Sequence, residues 1–215
     1  MIDDNHSVTF KLPKIYPVTD TRLSGLSHAE QVARLIDGGA TLIQLRDKHG
    51  APRDLLQQAE AALRVARRNN IQIIINDRVD IAMALDAGVH LGQSDLPAKI
   101  ARRLLKPGSI VGVSTHNLAQ VDIAARLSLD YVAFGPIFGT ETKADHDPVV
   151  GLDGLRSARR LLGDRPLVAI GGITAENCRE VIKAGADSVA LISALLSDPA
   201  KISTNMRLML AAASE

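Results

Sequence analysis

Aromatic residues make up only 2% of this chain, and tryptophan is absent. The interior must therefore be filled by aliphatic side chains and alanine. The surface also lacks the rings on which single-stranded nucleic acids stack. There is one cysteine, Cys178, which excludes an internal disulfide and a cysteine-based zinc cluster and suits a reducing cytosol. An excess of charge is missing too. The formal net charge is +1 and the isoelectric point is about 7.9, so no broad basic field exists for DNA or an acidic membrane. No apolar run approaches the roughly 20 residues that a membrane helix needs. The opening Met1-Ile2-Asp3-Asp4-Asn5-His6 is acidic and polar, where a secretory signal is basic and then apolar. The expectation is a cytoplasmic protein with no nucleic-acid and no membrane partner.

What the chain does have is a recurring unit: amphipathic helix, small-residue stop, short apolar strand, polar strand end. Residues 37–46 (Asp-Gly-Gly-Ala-Thr-Leu-Ile-Gln-Leu-Arg), 86–93 and 183–193 show it most clearly. Glycine suits the left-handed stop of a helix, and the β-branched run that follows reads as a buried strand. Eight strands are expected near 15–20, 41–47, 71–77, 88–92, 110–116, 131–137, 166–172 and 188–193. Helices are expected near 27–38, 51–69, 78–87, 97–105, 117–128, 152–162, 174–185 and 200–213. Ser27 with Glu30 reads as a capping box, and Thr174 precedes Glu176 and Asn177 in a second helix start. In 51–69, Leu55, Leu56, Ala59, Leu63 and Ala66 form one apolar stripe. The 215 residues suit a single large core. Eight strand–helix units predict a (β/α)₈ TIM barrel over residues 12–215 behind an arm at 1–11, with a doubly wound open sheet as the alternative. Polar residues at the end of nearly every strand favour the barrel. Residues 139–150 form a long polar loop after the sixth strand, where a lid over the mouth would sit.

The polar strand ends carry the candidate chemistry. Gln44, Arg46 and Lys48 alternate with Ile43, Leu45 and Asp47, so an extended strand would line one face with two cations and an amide. Asp47 would point the other way, and burying unpartnered cations is costly, so the trio predicts an anionic ligand. Asn76 and Asp77 end the third strand, and Gln93 and Asp95 follow the fourth. Neighbouring strands lie about 5 Å apart, so Asp77 and Asp95 could share one Mg²⁺. Equally, each could cap the helix that follows. Lys143, on the long loop, reads either as a third phosphate-binding cation or as a solvated surface lysine. Gly171-Gly172-Ile173-Thr174 after strand seven and Ile192-Ser193 after strand eight sit where barrels bind a phosphomonoester. Ser114 and His116 end strand five. Ser114 has no His–Asp relay at recognisable spacing, which argues against a serine nucleophile. His90 reads either as a pocket residue or as a satisfied core histidine. Asp145-His146-Asp147 reads as a solvated loop rather than a metal cage, and Cys178 as an inert thiol on a helix away from the rim.

Taken in order, these residues resemble the thiamine-phosphate synthase family. The resemblance rests on Gln44-Leu-Arg46-Asp-Lys48, Asn76-Asp77-Arg78, His90-Leu-Gly-Gln93-Ser-Asp95, Gly112-Val-Ser114-Thr-His116, the 135–143 segment Gly-Pro-Ile-Phe-Gly-Thr-Glu-Thr-Lys, and Ile170-Gly-Gly-Ile173. It implies a transferase that joins a hydroxymethylpyrimidine diphosphate to a hydroxyethylthiazole phosphate with Mg²⁺, releasing pyrophosphate. By the same resemblance Asp77 and Asp95 match metal ligands, and Arg46, Lys48, Asn76 and Lys143 match diphosphate contacts. Gln44 matches a contact near the pyrimidine diphosphate and Ser114 a polar group near the reacting centre. Thr140, Thr142, Gly172, Ile192 and Ser193 match the thiazole-phosphate site. Gly139 stands where the family usually has proline, and Ser94 replaces a common acidic residue beside Asp95. A thiazole tautomerase of the same superfamily and an inactive ligand-binding paralogue are the alternatives. The expected partners are the two small-molecule substrates, with a homo-oligomer left open.

Overall fold

The structure, a computed structural model, describes residues 10–139 and 148–214. Eight strands form one sheet: β1 (Ile15–Pro17), β2 (Leu42–Leu45), β3 (Gln72–Asn76), β4 (Gly88–Leu91), β5 (Val111–Thr115), β6 (Tyr131–Phe134), β7 (Leu167–Ile170) and β8 (Ser188–Leu191). They pair in the order β1-β8-β7-β6-β5-β4-β3-β2, and every pair is parallel. A parallel bridge between Val18 and Gln44 joins the two ends of that order, reinforced by Thr19 N donating to Gln44 O at 2.8 Å. This is the predicted barrel, not the open sheet.

The helices are α1 (Thr21–Ser24), α2 (His28–Asp37), α3 (Pro52–Arg68), α4 (Val79–Leu85), α5 (Ala98–Leu104), α6 (Leu118–Ala125), α7 (Gly151–Leu162), α8 (Ala175–Lys183), α9 (Ser193–Leu196) and α10 (Ile202–Ser214). Both capping signals form: Ser27 with Glu30 opens α2, and Thr174 with Asn177 opens α8. The sequence pattern gives no sign of α1 and α9, which are one turn each and too short to show a period.

Several strands stop earlier than their apolar runs suggest. β2 ends at Leu45 because Asp47 Oδ1 accepts from the backbone N–H groups of His49 and Gly50, at 2.9 and 2.8 Å. That side-chain turn offers the backbone a partner outside the ladder. β7 ends at Ile170 because Gly171 and Gly172 take φ values of 101° and 64°, which glycine adopts readily and a strand cannot use.

Alternation along the strands divides the interior into two cores. Outward residues such as Ile43, Leu45, Ile73, Ile75, Val89 and Val132 pack against the helices. Leu55, Ala59, Leu63 and Ala66 of the predicted α3 stripe are buried there, while Leu56 is half-buried at its margin. Inward residues Tyr16, Val18, Leu42, Ile74, Tyr131, Ala133, Val168 and Ala190 fill the barrel. The chain's two tyrosines are therefore both inside the barrel, 1% and 0% exposed. Tyr131 fits because its neighbour on β5 is Gly112, where a Cβ would come within 2.1 Å of the Tyr131 ring. Phe10, 6.2 Å from Tyr131 between ring centres, packs with Leu12 against the same inner cluster.

Candidate active site

The carboxyl ends of the strands open on one cavity of about 450 Å³. Its wall includes Gln44, Arg46, Lys48, Asn76, Asp77, His90, Gln93, Asp95, Ser114, Gly172, Ile192 and Ser193. Thr140, Thr142 and Lys143 lie outside the described residues, as do Asp145, His146 and Asp147.

The Gln44, Arg46 and Lys48 side chains meet at this mouth, but strand parity is not what brings the last two there, since β2 has already ended. Nor are the two cations without protein partners, as the sequence suggested. Arg46 Nη1 donates to Asp20 Oδ2 at 2.8 Å, and Lys48 Nζ donates to Asp77 Oδ2 at 2.8 Å. Asp20, which sequence reasoning left out, also caps α1 by accepting from the N–H groups of Arg22 and Leu23. Its signal was available: it ends the segment after β1, as the other site residues end theirs. Asn76 is 7% exposed, and its Nδ2 has no hydrogen-bond partner. A buried amide donor left without an acceptor is costly, and Asn76 belongs to the same cavity wall as Arg46, Lys48, Asp77 and Asp95.

The helix-cap alternative for the two aspartates does not hold. α4 follows Arg78 and α5 follows Pro97, and neither helix has a side-chain cap. Asp77 instead takes a left-handed φ of 62°, which costs a non-glycine residue about 1 kcal/mol. Its N–H donates to His90 O at 2.8 Å, holding its carboxyl over the mouth. Asp95 Oδ2 accepts from Gly92 N at 2.6 Å. The two carboxyls lie close enough to shift each other's protonation in opposite directions. Burial works to raise Asp77, but the neighbouring Asp95 and the Lys48 ammonium outweigh it and hold its pKa below the ordinary carboxylate value. Burial and the Asp77 contact push Asp95 up. Two carboxyls in contact need a shared proton or a shared cation. No group of three His, Cys, Asp or Glu side chains that could hold a metal occurs among the described residues. The pair alone suits Mg²⁺, which typically takes one or two carboxylates and completes its shell with water and phosphate oxygens.

Deeper in the barrel, a chain of polar groups links β2 to β5. Gln44 Nε2 donates to Tyr16 Oη at 2.9 Å. Tyr16 and Tyr131 hydroxyls are 2.9 Å apart, Tyr131 Oη and His90 Nδ1 are 2.9 Å apart, and His90 Nε2 and Ser114 Oγ are 2.8 Å apart. Both readings of His90 apply, because it is a satisfied buried histidine and also part of the cavity wall. Burial lowers its pKa to about 4, so it is neutral near pH 7, and burial raises both tyrosines. Ser114 therefore does contact a histidine, through a pairing of distant strands that sequence spacing could not show. The histidine's other nitrogen meets a phenol, and no carboxylate completes a nucleophile triad. The sequence reading put neither of the two tyrosines that complete this chain among the site residues.

On the opposite wall, Gly171 and Gly172 press against the segment after β6. A Cβ on Gly171 would lie 2.5 Å from Pro136 Cβ, and one on Gly172 2.5 Å from Gly139 O. Ile192 and Ser193 adjoin them in the cavity wall, at the start of α9. His116 is held at the rim by its Nδ1 contact with Gly135 O at 2.8 Å. Cys178 is on α8, fully buried in the outer core, with its thiol pKa raised by burial.

A family model described as thiamine monophosphate synthase matches residues 15–195. The chain belongs to the thiamine monophosphate synthase family. A relative from Koribacter versatilis named thiamine-phosphate synthase is 48% identical over 197 residues, covering 88% of this chain and 92% of the relative. One of the same name from Chloroflexus aurantiacus is 45% identical over 186 residues, 86% of this chain and 85% of its own. Among solved structures, a thiamine phosphate pyrophosphorylase from Pyrococcus furiosus superimposes with a TM-score of 0.84 at 34% identity, covering 94% of this chain and 95% of that one. No helix among the described residues of this family member is long and apolar enough to cross a membrane.

Proposed function

We propose that this chain is the transferase its family name describes. It condenses 4-amino-2-methyl-5-hydroxymethylpyrimidine diphosphate with 4-methyl-5-(2-hydroxyethyl)thiazole phosphate, giving thiamine phosphate and pyrophosphate. The observation that carries this reading is the buried Asn76 Nδ2 with no partner. It sits in the same cavity wall as Arg46, Lys48, Asp77 and Asp95. A multiply charged phosphate oxyanion supplies what that amide lacks and gives the two cations a ligand.

Asp77 and Asp95 would hold Mg²⁺, which supplies Lewis-acid stabilisation of a departing diphosphate. Arg46 donates to the diphosphate from a guanidinium already oriented by Asp20. Lys48 turns from Asp77 to the diphosphate as the ligand arrives, and Lys143 is assigned to the same anion. The reaction needs no protein nucleophile. The amino group of the pyrimidine pushes electron density toward its exocyclic carbon as the carbon–oxygen bond breaks, and the thiazole nitrogen then bonds to that carbon. The protein stabilises the departing charge and holds the two rings close. Gln44, His90 and Ser114 face the pyrimidine. Gly172, Ile192 and Ser193, with Thr140 and Thr142, hold the thiazole phosphate away from the reacting carbon.

Mixing both substrates with Mg²⁺ and assaying pyrophosphate tests the assignment. Pyrophosphate formed only when both are present supports it. Isomerised thiazole without pyrophosphate would indicate the tautomerase, and binding without turnover an inactive paralogue.

A further inference from the structure

The Gln44–Tyr16–Tyr131–His90–Ser114 chain begins and ends at groups in the cavity wall, while Tyr131 lies beneath it. Each phenol carries one proton, and so does a neutral imidazole, so the links are not independent. With Gln44 donating to Tyr16, the Tyr16 proton goes to Tyr131 and the Tyr131 proton to His90 Nδ1. His90 then carries its proton on Nε2 and donates it to Ser114 Oγ. The Ser114 proton is left for the cavity. At the other end, Gln44 has Oε1 left to offer. Turning the Gln44 amide over would reverse every link, and the cavity would then face an amide donor and a serine acceptor. The two ends therefore always present opposite characters. Arg46 and Lys48 on the same rim favour the arrangement in which Gln44 turns its oxygen, rather than its NH₂ group, toward them.

We propose that Tyr16 and Tyr131 are positioning residues that tie the hydrogen-bonding character of Gln44 to that of Ser114, so that the cavity selects a heteroaromatic ring with an amino donor and an unprotonated ring nitrogen over its oxo counterpart. This rests on the assignment of a pyrimidine diphosphate to the cavity. An oxo ring with a protonated ring nitrogen presents the opposite pattern at both positions. Accepting it requires either two mismatched contacts or reversal of the whole chain, including the His90 tautomer. A buried polar group left facing a like partner is what makes such sites reject close analogues. Breaking the chain in the middle lets Gln44 and Ser114 turn separately, and the oxo ring then loses most of its disadvantage.

The test compares the wild type with Tyr131→Phe and Tyr16→Phe. One measurement is binding, which is free of the amino group's part in the chemistry: Kd for the 4-amino pyrimidine diphosphate without the thiazole, and Kd for its 4-oxo analogue. The other is the His90 tautomer in the free protein, read by ¹⁵N NMR of histidine-labelled samples. The wild type is expected to prefer the amino substrate by about 100-fold or more, with His90 protonated on Nε2. Each Phe variant is expected to lose about tenfold of that preference, and Tyr131→Phe to show a mixed His90 tautomer. A merely structural role for the tyrosines would lower the melting temperature and weaken both ligands equally, leaving the preference intact. That result, or a wild-type His90 protonated on Nδ1, overturns the inference. If Tyr131→Phe does not fold, Tyr16→Phe decides by the same preference measurement. If the wild type does not turn over the 4-amino diphosphate with the thiazole phosphate, the functional assignment fails, and with it the substrate part of this inference.

Discussion

The two ends of the barrel use carboxylates in opposite ways. On the floor, Asp130 accepts from the N–H of Val111 at 2.7 Å and from Arg102 Nη2 at 2.6 Å. Two strand–helix units later, Asp187 does the same with the N–H of Leu167 at 2.8 Å and with Arg159. Each acid there fixes the start of a neighbouring strand and is itself neutralised by an arginine from the outer helix ring. At the mouth, Asp77 is in a strained backbone conformation, is shifted by the neighbouring Asp95 carboxyl, and pairs with Lys48. Asn76 is buried there without an acceptor for its amide. The floor's acids are satisfied by its own residues, whereas the mouth is organised around charge that the protein does not supply. Stability is concentrated at one end of the same strands and ligand chemistry at the other.

Substitutions at each end can break that division. The largest effect is expected from Asp95→Ala at the mouth: turnover falls about 10²–10³-fold, the usual scale for losing one strong electrostatic partner, while the melting temperature stays near that of the wild type. Near-normal turnover at saturating Mg²⁺ would remove the metal role of the pair. A smaller loss, about tenfold in kcat/KM, is expected from Asp20→Asn. Asparagine caps α1 as well as aspartate does, so the change isolates the charge that orients Arg46, and unchanged kinetics would show that Arg46 needs no such guide. On the floor, Asp130→Ala is expected to reverse the pattern. Chemical denaturation should show a loss of about 1–2 kcal/mol, for a hydrogen-bonded pair still 29% exposed, with kcat unchanged. A large fall in kcat with normal stability would mean the two ends are coupled.

The smallest effect concerns pH. His28 is buried, bonded through Nδ1 to Thr19 Oγ1 at 2.7 Å, and its Nε2 has no partner. Burial lowers its pKa, against the pull of Asp47 and Asp20. The unfolded chain therefore takes up a proton near pH 6.5 that the folded protein refuses until the pH is lower. Stability should decline as pH falls from about 6.5 toward the folded pKa, and the wild type should lose more melting temperature over that window than His28→Gln. Identical pH dependence in the two proteins would dismiss the role of this histidine.

Much of this site could be read in the sequence because its residues sit where the repeat places them. Asn76, Asp77, Asp95, Ser114 and Gly172 each end a unit, and a closed parallel barrel brings all unit ends to one rim. The reading failed where contacts depended on something other than position in the unit. Parity placed Arg46 and Lys48 correctly by the wrong cause, since a side-chain turn at Asp47 ends the strand first. The acids that pair with them come from the segments after β1 and β3, not from their own. The contact between Ser114 and His90 joins strands whose residues are 24 apart, and no local pattern announces it.

The order of residues alone determined the eight-fold repeat, the helix caps at Ser27 and Thr174, and the family, because periodicity, capping and motif order are local properties of the chain. Barrel closure decided the rest. Curling the sheet until Val18 meets Gln44 turned inward-facing residues from separate strands into neighbours. Only then could two tyrosines, a histidine and a serine share hydrogen bonds, and only then did Asp20 reach Arg46, whereas Lys48 meets Asp77 because β2 and β3 already lie side by side.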